Sequence, residues 1–104
     1  MPAYELVTTP PARKALKRLP RQVRHHIVEV AANLKDNPEY GDQLQSPWKF
    51  LRSLHTIYRR THYRLVYEVD VSRKYIFIHF VNTRENFYQK LRRLKLKPMA
   101  AIRN

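Results

Sequence analysis

YRRTHYRLVYEVDVSRKYIFIHFVNTRENFYQKL, residues 58–91, is the stretch from which the rest of the chain can be read. Tyr63, Leu65, Tyr67 and Val69 alternate with Arg64, Val66, Glu68 and Asp70. A period of two carried by β-branched and aromatic residues predicts a half-buried β-strand. Val71-Ser72-Arg73 supplies a short reversal, and Lys74 to Val81 forms the partner strand. KYIFIHFV is apolar at both parities, which predicts a strand covered on both faces and therefore central in a sheet. A polar exit then runs into a basic helix.

Upstream, a further strand is expected from about Leu54 to Arg60, turning at Thr61-His62. Ala3 to Thr8 alternates loosely and predicts a short strand. Thr9 is placed to cap a helix whose first position is proline. Ala12, Ala15, Leu16 and Leu19 recur at helical spacing until Pro20, which ends that helix and opens the next. From Pro20 to Asp36, Val23, Ile27, Val30, Ala31 and Leu34 form one apolar stripe. Two helices joined this tightly form a hairpin whose only apolar partner is the sheet. Asn37 to Pro47 holds two prolines and the only glycine, Gly41, and reads as a loop. Trp48 to Leu54 reads as a short extended segment with Trp48 or Leu51 anchored in the core. Phe87, Leu91 and Leu94 carry a last helix between Glu85 and Lys97, and Pro98 stops it. The predicted class is α+β, with an N-terminal strand and helical hairpin on a small, mostly antiparallel sheet, the helices on one face. One domain is expected over residues 1–104, with 98–104 as a frayed tail.

Composition narrows the function. Twenty-one Lys and Arg oppose eight Asp and Glu, a net charge of +13. A field of that size attracts polyanions through phosphate contact and counterion release, and points to nucleic acid or an acidic protein. The chain has no cysteine, so disulfides and thiolate metal sites are excluded. No apolar run reaches membrane-spanning length, and the first residues lack a signal-peptide core, so a cytoplasmic protein is expected. His25 and His26 are adjacent on a helix and point about 100° apart, so they cannot clamp one ion together.

The order of elements, the stretch YRLVYEV, and the following strand with VNTRENFYQKL resemble the RelE/ParE toxin superfamily. Its members are small basic proteins with a helical hairpin on a curved, mostly antiparallel sheet. Tyr63-Arg64-Leu65-Val66-Tyr67 matches the superfamily's Tyr-Arg-apolar-apolar-Tyr strand. Phe80 to Arg84 resembles the turn after the last strand, where HigB-like and RelE-like toxins place a basic catalytic residue. Tyr88 stands where those toxins often carry a tyrosine.

The resemblance implies the toxin of a type II toxin–antitoxin pair, a ribosome-dependent endoribonuclease acting on mRNA in the ribosomal A site. An acidic antitoxin protein would cover its basic site. The RNA 2′-OH would attack the adjacent phosphate, so neither a metal nor another cofactor is expected. Arg64 and Arg84 would hold the phosphate, since a guanidinium grips two oxygens and stays charged at any working pH. Tyr88 would stack on a base or assist proton transfer. The relatives' base is a lysine on the strand before Tyr63, but here that strand reads Leu54-His55-Thr56-Ile57-Tyr58-Arg59-Arg60. His55 falls closest to a lysine position, and His62 and His79 are the other imidazoles within reach of the role. Lys49, Arg52, Arg59, Arg60, His62, Arg92 and Arg93 are the expected RNA-binding residues. Two readings compete. A ParE-like gyrase inhibitor would lack the basic and aromatic residues near the C-terminus, and a non-catalytic RNA- or DNA-binding module would need no base.

Overall fold

A computed structural model describes residues 3–100. Five strands form one sheet: β1 (Glu5–Thr8), β2 (Asp42–Gln43), β3 (Arg52–Tyr58), β4 (Thr61–Asp70) and β5 (Tyr75–Thr83), in the order β1-β5-β4-β3-β2. Only β1 pairs in parallel, with β5; the other pairings are antiparallel. Helices α1 (Pro10–Lys17) and α2 (Arg21–Ala32) form the hairpin, and α3 (Phe87–Leu94) follows β5. A single 3-10 turn, Asn33–Lys35, extends α2 and buries Leu34.

The helix signals act as expected. Thr9 Oγ1 accepts the Ala12 N–H at 3.4 Å and donates to the Ile78 carbonyl at 3.1 Å, so the cap of α1 is also pinned to β5. Pro10 and Pro11 occupy the first turn, where no N–H is missed. Val23, Ile27 and Ala31 are the buried stripe of α2.

Cross-strand pairing fixes the faces. Leu54, Thr56, Tyr63 and Leu65 share one parity, and Ser53, His55, Arg64 and Val66 the other. Helix α2 lies over the first face, where His26 Nε2 meets Thr56 Oγ1 at 2.9 Å and the His26 ring leans on Tyr58. Helix α1 lies along β5 past the end of β1. Helix α3 covers the opposite face: Phe87 packs on Phe80, the partner of Val66, with ring centres 5.7 Å apart. The helices are therefore divided between two faces rather than gathered on one, as the periodicities suggested. An amphipathic stripe says that a helix is covered, not by which side of the sheet.

Four further corrections follow from contacts that no local pattern carries. The β3–β4 turn is Arg59-Arg60, two residues earlier than predicted, with φ of 49° and 70°. Paired positive φ values are the two-residue hairpin geometry that matches strand twist. The loop after α2 contains β2, which pairs with β3 through Asp42 and Gln43. Strand β4 is half-buried only at its start, because Val66, Glu68 and Asp70 are buried as well. The tail explains part of this: the N–H groups of Met99 and Ala100 donate to the two Glu68 carboxylate oxygens at 2.8 and 2.7 Å. The predicted frayed tail is thus tied down at Met99 and Ala100, and the remainder of that expectation lies outside the described residues. His79 is the extra residue of a bulge opposite Val66 and Tyr67. Its Nε2–H donates to Glu68 Oε1 at 2.8 Å.

Candidate active site

Three interior strands place one residue each in a row across the α3 face. His55 on β3 pairs with Arg64 on β4, which pairs with Asn82 on β5. Directly paired side chains stand about 5 Å apart at Cβ, close enough to act on one group. His62 joins the row diagonally, its Nδ1 lying 2.7 Å from His55 Nε2. Arg84 is brought alongside by its own backbone, whose N–H donates to the His62 carbonyl at 3.1 Å. Partial burial, then the Arg84 cation, then His55 hold His62 below the ordinary imidazole value of 6.5. His62 therefore favours its neutral form, the one that can accept a proton.

Arg64 keeps its charge for other purposes. The two carboxylates nearest it in sequence are committed elsewhere, Glu68 to His79 and the tail, Asp70 to Arg73 and Ser72. Beyond Arg64 an open depression of about 370 Å³ is lined by Arg64, Ser53, Trp48, Tyr88 and the β2 segment. Trp48 and Tyr88 meet with ring centres 6.0 Å apart. Lys90 of α3 reaches Asn82 Oδ1 at 3.5 Å and brings one more cation to the row.

His55, His62, Arg64, Arg84 and Tyr88 are thus neighbours. Other expected residues stand apart. Arg52 lies on the opposite parity of β3, and its Nη1 donates to the Gly41 and Glu39 carbonyls at 2.7 and 3.3 Å. That guanidinium holds the loop that carries Gly41, away from the row. Lys49 lines a separate hollow with Arg52 and Phe50. Arg59 and Arg60 occupy the hairpin tip, with Arg59 over the Tyr58 ring at 5.4 Å. Arg92 and Arg93 line another hollow on the outer side of α3. His79, a candidate base, is buried against Glu68 and cannot serve a substrate. Trp48, Ser53, Asn82 and Lys90 belong to the site without being marked for it by the sequence. Only Lys90 carries a usable signal, as a cation one turn along α3 from Phe87. Among the described residues no cluster of three or more His, Asp or Glu could hold a metal ion. Among the described residues no helix is long and apolar enough to cross a membrane.

Comparison with known families bears on this arrangement. The model of the ParE-like toxin of type II bacterial toxin–antitoxin systems matches residues 6–92. The chain belongs to this family. This ParE-like toxin is similar in structure to the Mycobacterium tuberculosis RelBE2 toxin–antitoxin complex, with 30% identity over 79% of this chain and 99% of that one, TM-score 0.68. The isolated E. coli RelE toxin shares the fold at 23% identity, covering 90% of this chain and 100% of its own, TM-score 0.66. The Pyrococcus horikoshii RelE–RelB complex shares it at 24% identity, over 79% and 96%, TM-score 0.58. No curated protein matches the sequence. The chain is therefore a type II toxin of RelE-like fold.

Proposed function

We propose that this ParE-like toxin is a ribosome-dependent mRNA endoribonuclease, and that its catalytic centre is the row of His55, Arg64 and Arg84 completed by His62. The observation that carries the reading is the hydrogen-bonded His55–His62 pair beside two arginines on one open face. The reaction is transesterification. The 2′-OH loses its proton as its oxygen bonds to phosphorus; the bond to the 5′-oxygen breaks, and that oxygen takes a proton. The products are a 2′,3′-cyclic phosphate and a free 5′-OH.

The hydrogen-bonded imidazole pair suits both transfers when both rings are neutral. Two neutral rings carry two protons, and one lies in the bond between His55 Nε2 and His62 Nδ1. Whichever ring donates it, one outward nitrogen is left bare and the other protonated. The pair can accept a proton at one end and give one at the other, each transfer being worth about 10²–10⁴ in rate. Arg64 and Arg84 stabilise charge that grows on the phosphate oxygens, where losing one such donor costs about 10²–10³. Exposed Tyr88 offers a face for a base. The chain's charge of +13 supports a polyanionic target, and an acidic antitoxin that caps the same face is the expected partner, as RelB partners the toxins in the related complexes.

The ParE-like description of the matching family favours a second reading, inhibition of DNA gyrase. Inducible expression in a bacterial host with mapping of mRNA 5′ ends separates the two. Growth arrest with codon-phased cuts, lost in Arg64→Ala with Arg84→Ala, supports the ribonuclease. Arrest without cuts moves the assignment to gyrase. No arrest in either strain removes both.

A further inference from the structure

The two imidazoles of the row face each other. His55 Nε2 and His62 Nδ1 stand 2.7 Å apart, with the ring centres 4.9 Å apart and the planes 12° from parallel. Nitrogens this close under centres this far apart place the rings edge to edge, each with one nitrogen turned inward toward the other ring. His55 is exposed and His62 half-buried, so water and small ions reach the pair. The Arg59-Arg60 turn joins the strands that carry them. Pairing of His55 with Arg64 and of Ile57 with His62 makes the two histidines diagonal neighbours. Two ligand-type nitrogens are thus held together by the sheet before any ligand arrives.

Their spacing suits one kind of ion. Nitrogens about 2.0–2.1 Å from a metal stand about 2.8–3.0 Å apart when the bonds meet at a right angle, and about 3.3–3.4 Å apart at the tetrahedral angle. The observed 2.7 Å is nearer the first. Each ring must turn for its lone pair to aim at a common ion, and the outer torsion of histidine is a broad one that permits this at a surface. Square-planar or tetragonal nitrogen sites take copper(II) or nickel(II). Among the described residues no third His, Asp or Glu joins the pair, so water fills the other positions of the ion. Arg64 and Arg84 oppose a further cation, and the affinity therefore rests on the two nitrogens acting together.

We propose that His55 and His62 form a two-imidazole site for a divalent ion that takes its ligands at right angles, nickel(II) or copper(II), and that filling it silences the toxin. The binding stands on the geometry alone, whereas the silencing rests on the ribonuclease reading. In the hydrogen-bonded pair one proton lies between two neutral rings, and one outward nitrogen is bare. An ion takes the lone pairs of both inward nitrogens. The shared proton passes through water to the bare outward nitrogen, so none is gained or lost. Both outward nitrogens then carry protons, and neither can accept the one that leaves the 2′-OH.

The full chain is titrated with Ni2+, Cu2+ or Zn2+ alone against a coloured chelator, which needs no RNA. One ion should bind per chain, Cu2+ more tightly than Ni2+ and Ni2+ more tightly than Zn2+. His55→Ala and His62→Ala should each weaken Ni2+ by about a hundredfold, the loss of a second ligand already in place. His25→Ala, at an exposed position on α2, should leave the affinity unchanged. A site that survives either of the first two substitutions, or that prefers Zn2+ to Ni2+, would overturn the assignment. Mg2+ prefers oxygen ligands, so a ribosome assay leaves the site free. There Ni2+ should stop mRNA cleavage over the concentrations that fill the site, and excess free histidine should restore it. Cleavage that continues with the site full would overturn the silencing. Ion uptake that is lost in His55→Ala, from a chain that cuts no mRNA even without the ion, would uphold the site and remove the ribonuclease reading instead.

Discussion

His62 is the residue whose chemistry depends most on its neighbours. Partial burial, the Arg84 cation and His55 all lower its pKa from 6.5, so the proton-accepting form persists to lower pH than in a free imidazole. The single-turnover cleavage rate on ribosomes should rise with pH along a limb whose midpoint lies below 6.5. Arg84→Ala should move that midpoint upward as well as slow the reaction, which a merely structural arginine would not do. His62→Ala should cost about 10²–10⁴ in rate. Gly41 is a residue fixed by its close neighbours rather than by backbone freedom. A Cβ there would stand 2.7 Å from Tyr67 Oη and 2.9 Å from the Ser53 carbonyl oxygen. The hydroxyl sits at the end of a fully buried ring and the carbonyl is backbone, so neither yields easily. Gly41→Ala should destabilise the fold by about 1–3 kcal/mol, read from the urea midpoint.

Strand β4 owes part of its cover on the α3 face to the tail, which is held at Glu68. Burial would raise the Glu68 carboxyl, but the His79 hydrogen bond and the Ala100 and Met99 N–H groups outweigh it, and the net shift is downward from 4.5. A carboxyl depressed in the fold contributes stability above its ordinary pKa. That contribution is lost as the pH falls through the lower folded value. Asp70 shifts in the same direction, burial being outweighed by Arg73 and Ser72. Acid should therefore release the tail: the amide signals of Met99 and Ala100 should shift toward unstructured positions as the pH drops below about 4.5. Glu68→Gln should produce the same release at neutral pH. Unmoved signals in that variant would show that the tail is held by something other than the carboxylate.

Across the whole molecule the charge divides into two sets. His55, His62, Arg64 and Arg84 are gathered on one sheet face, whereas Arg59 and Arg60 stand at a hairpin tip and Arg92 and Arg93 on the outside of α3. The gathered set should govern the chemistry and the outlying set the salt-dependent attachment. The hairpin tests this division. Arginine is a poor occupant of positive φ, where Asn-Gly is preferred, so its presence at both turn positions exchanges stability for two cations. Arg59→Asn with Arg60→Gly should stabilise the chain by about 1–2 kcal/mol. It should also reduce the slope of log RNA affinity against log salt by about 0.7 for each phosphate that the variant no longer neutralises. The cleavage rate at saturation should not change. A fall in that rate with an unchanged slope would place the hairpin in the catalytic centre.

Much of the architecture was legible in the chain because it is written in near neighbours. Thr9 with its prolines, the stripe from Val23 to Leu34, and the alternation around Tyr63 each obey a local period or a local cap, and each forms the element that it predicts. Arg64, Arg84, Tyr88 and His55 were singled out through the resemblance of their strand and turn to a known superfamily, and it is the sheet that sets His55 beside Arg64. What the tertiary structure alone decided depends on pairing between distant residues. One extra residue, His79, sets the register of β5 on β4, and Thr61 rather than Tyr63 follows the hairpin turn. The first aligns Asn82 with Arg64, and the second brings His55 to Arg64 and His62. Register and face are properties of two strands at once, and no single stretch of sequence contains both.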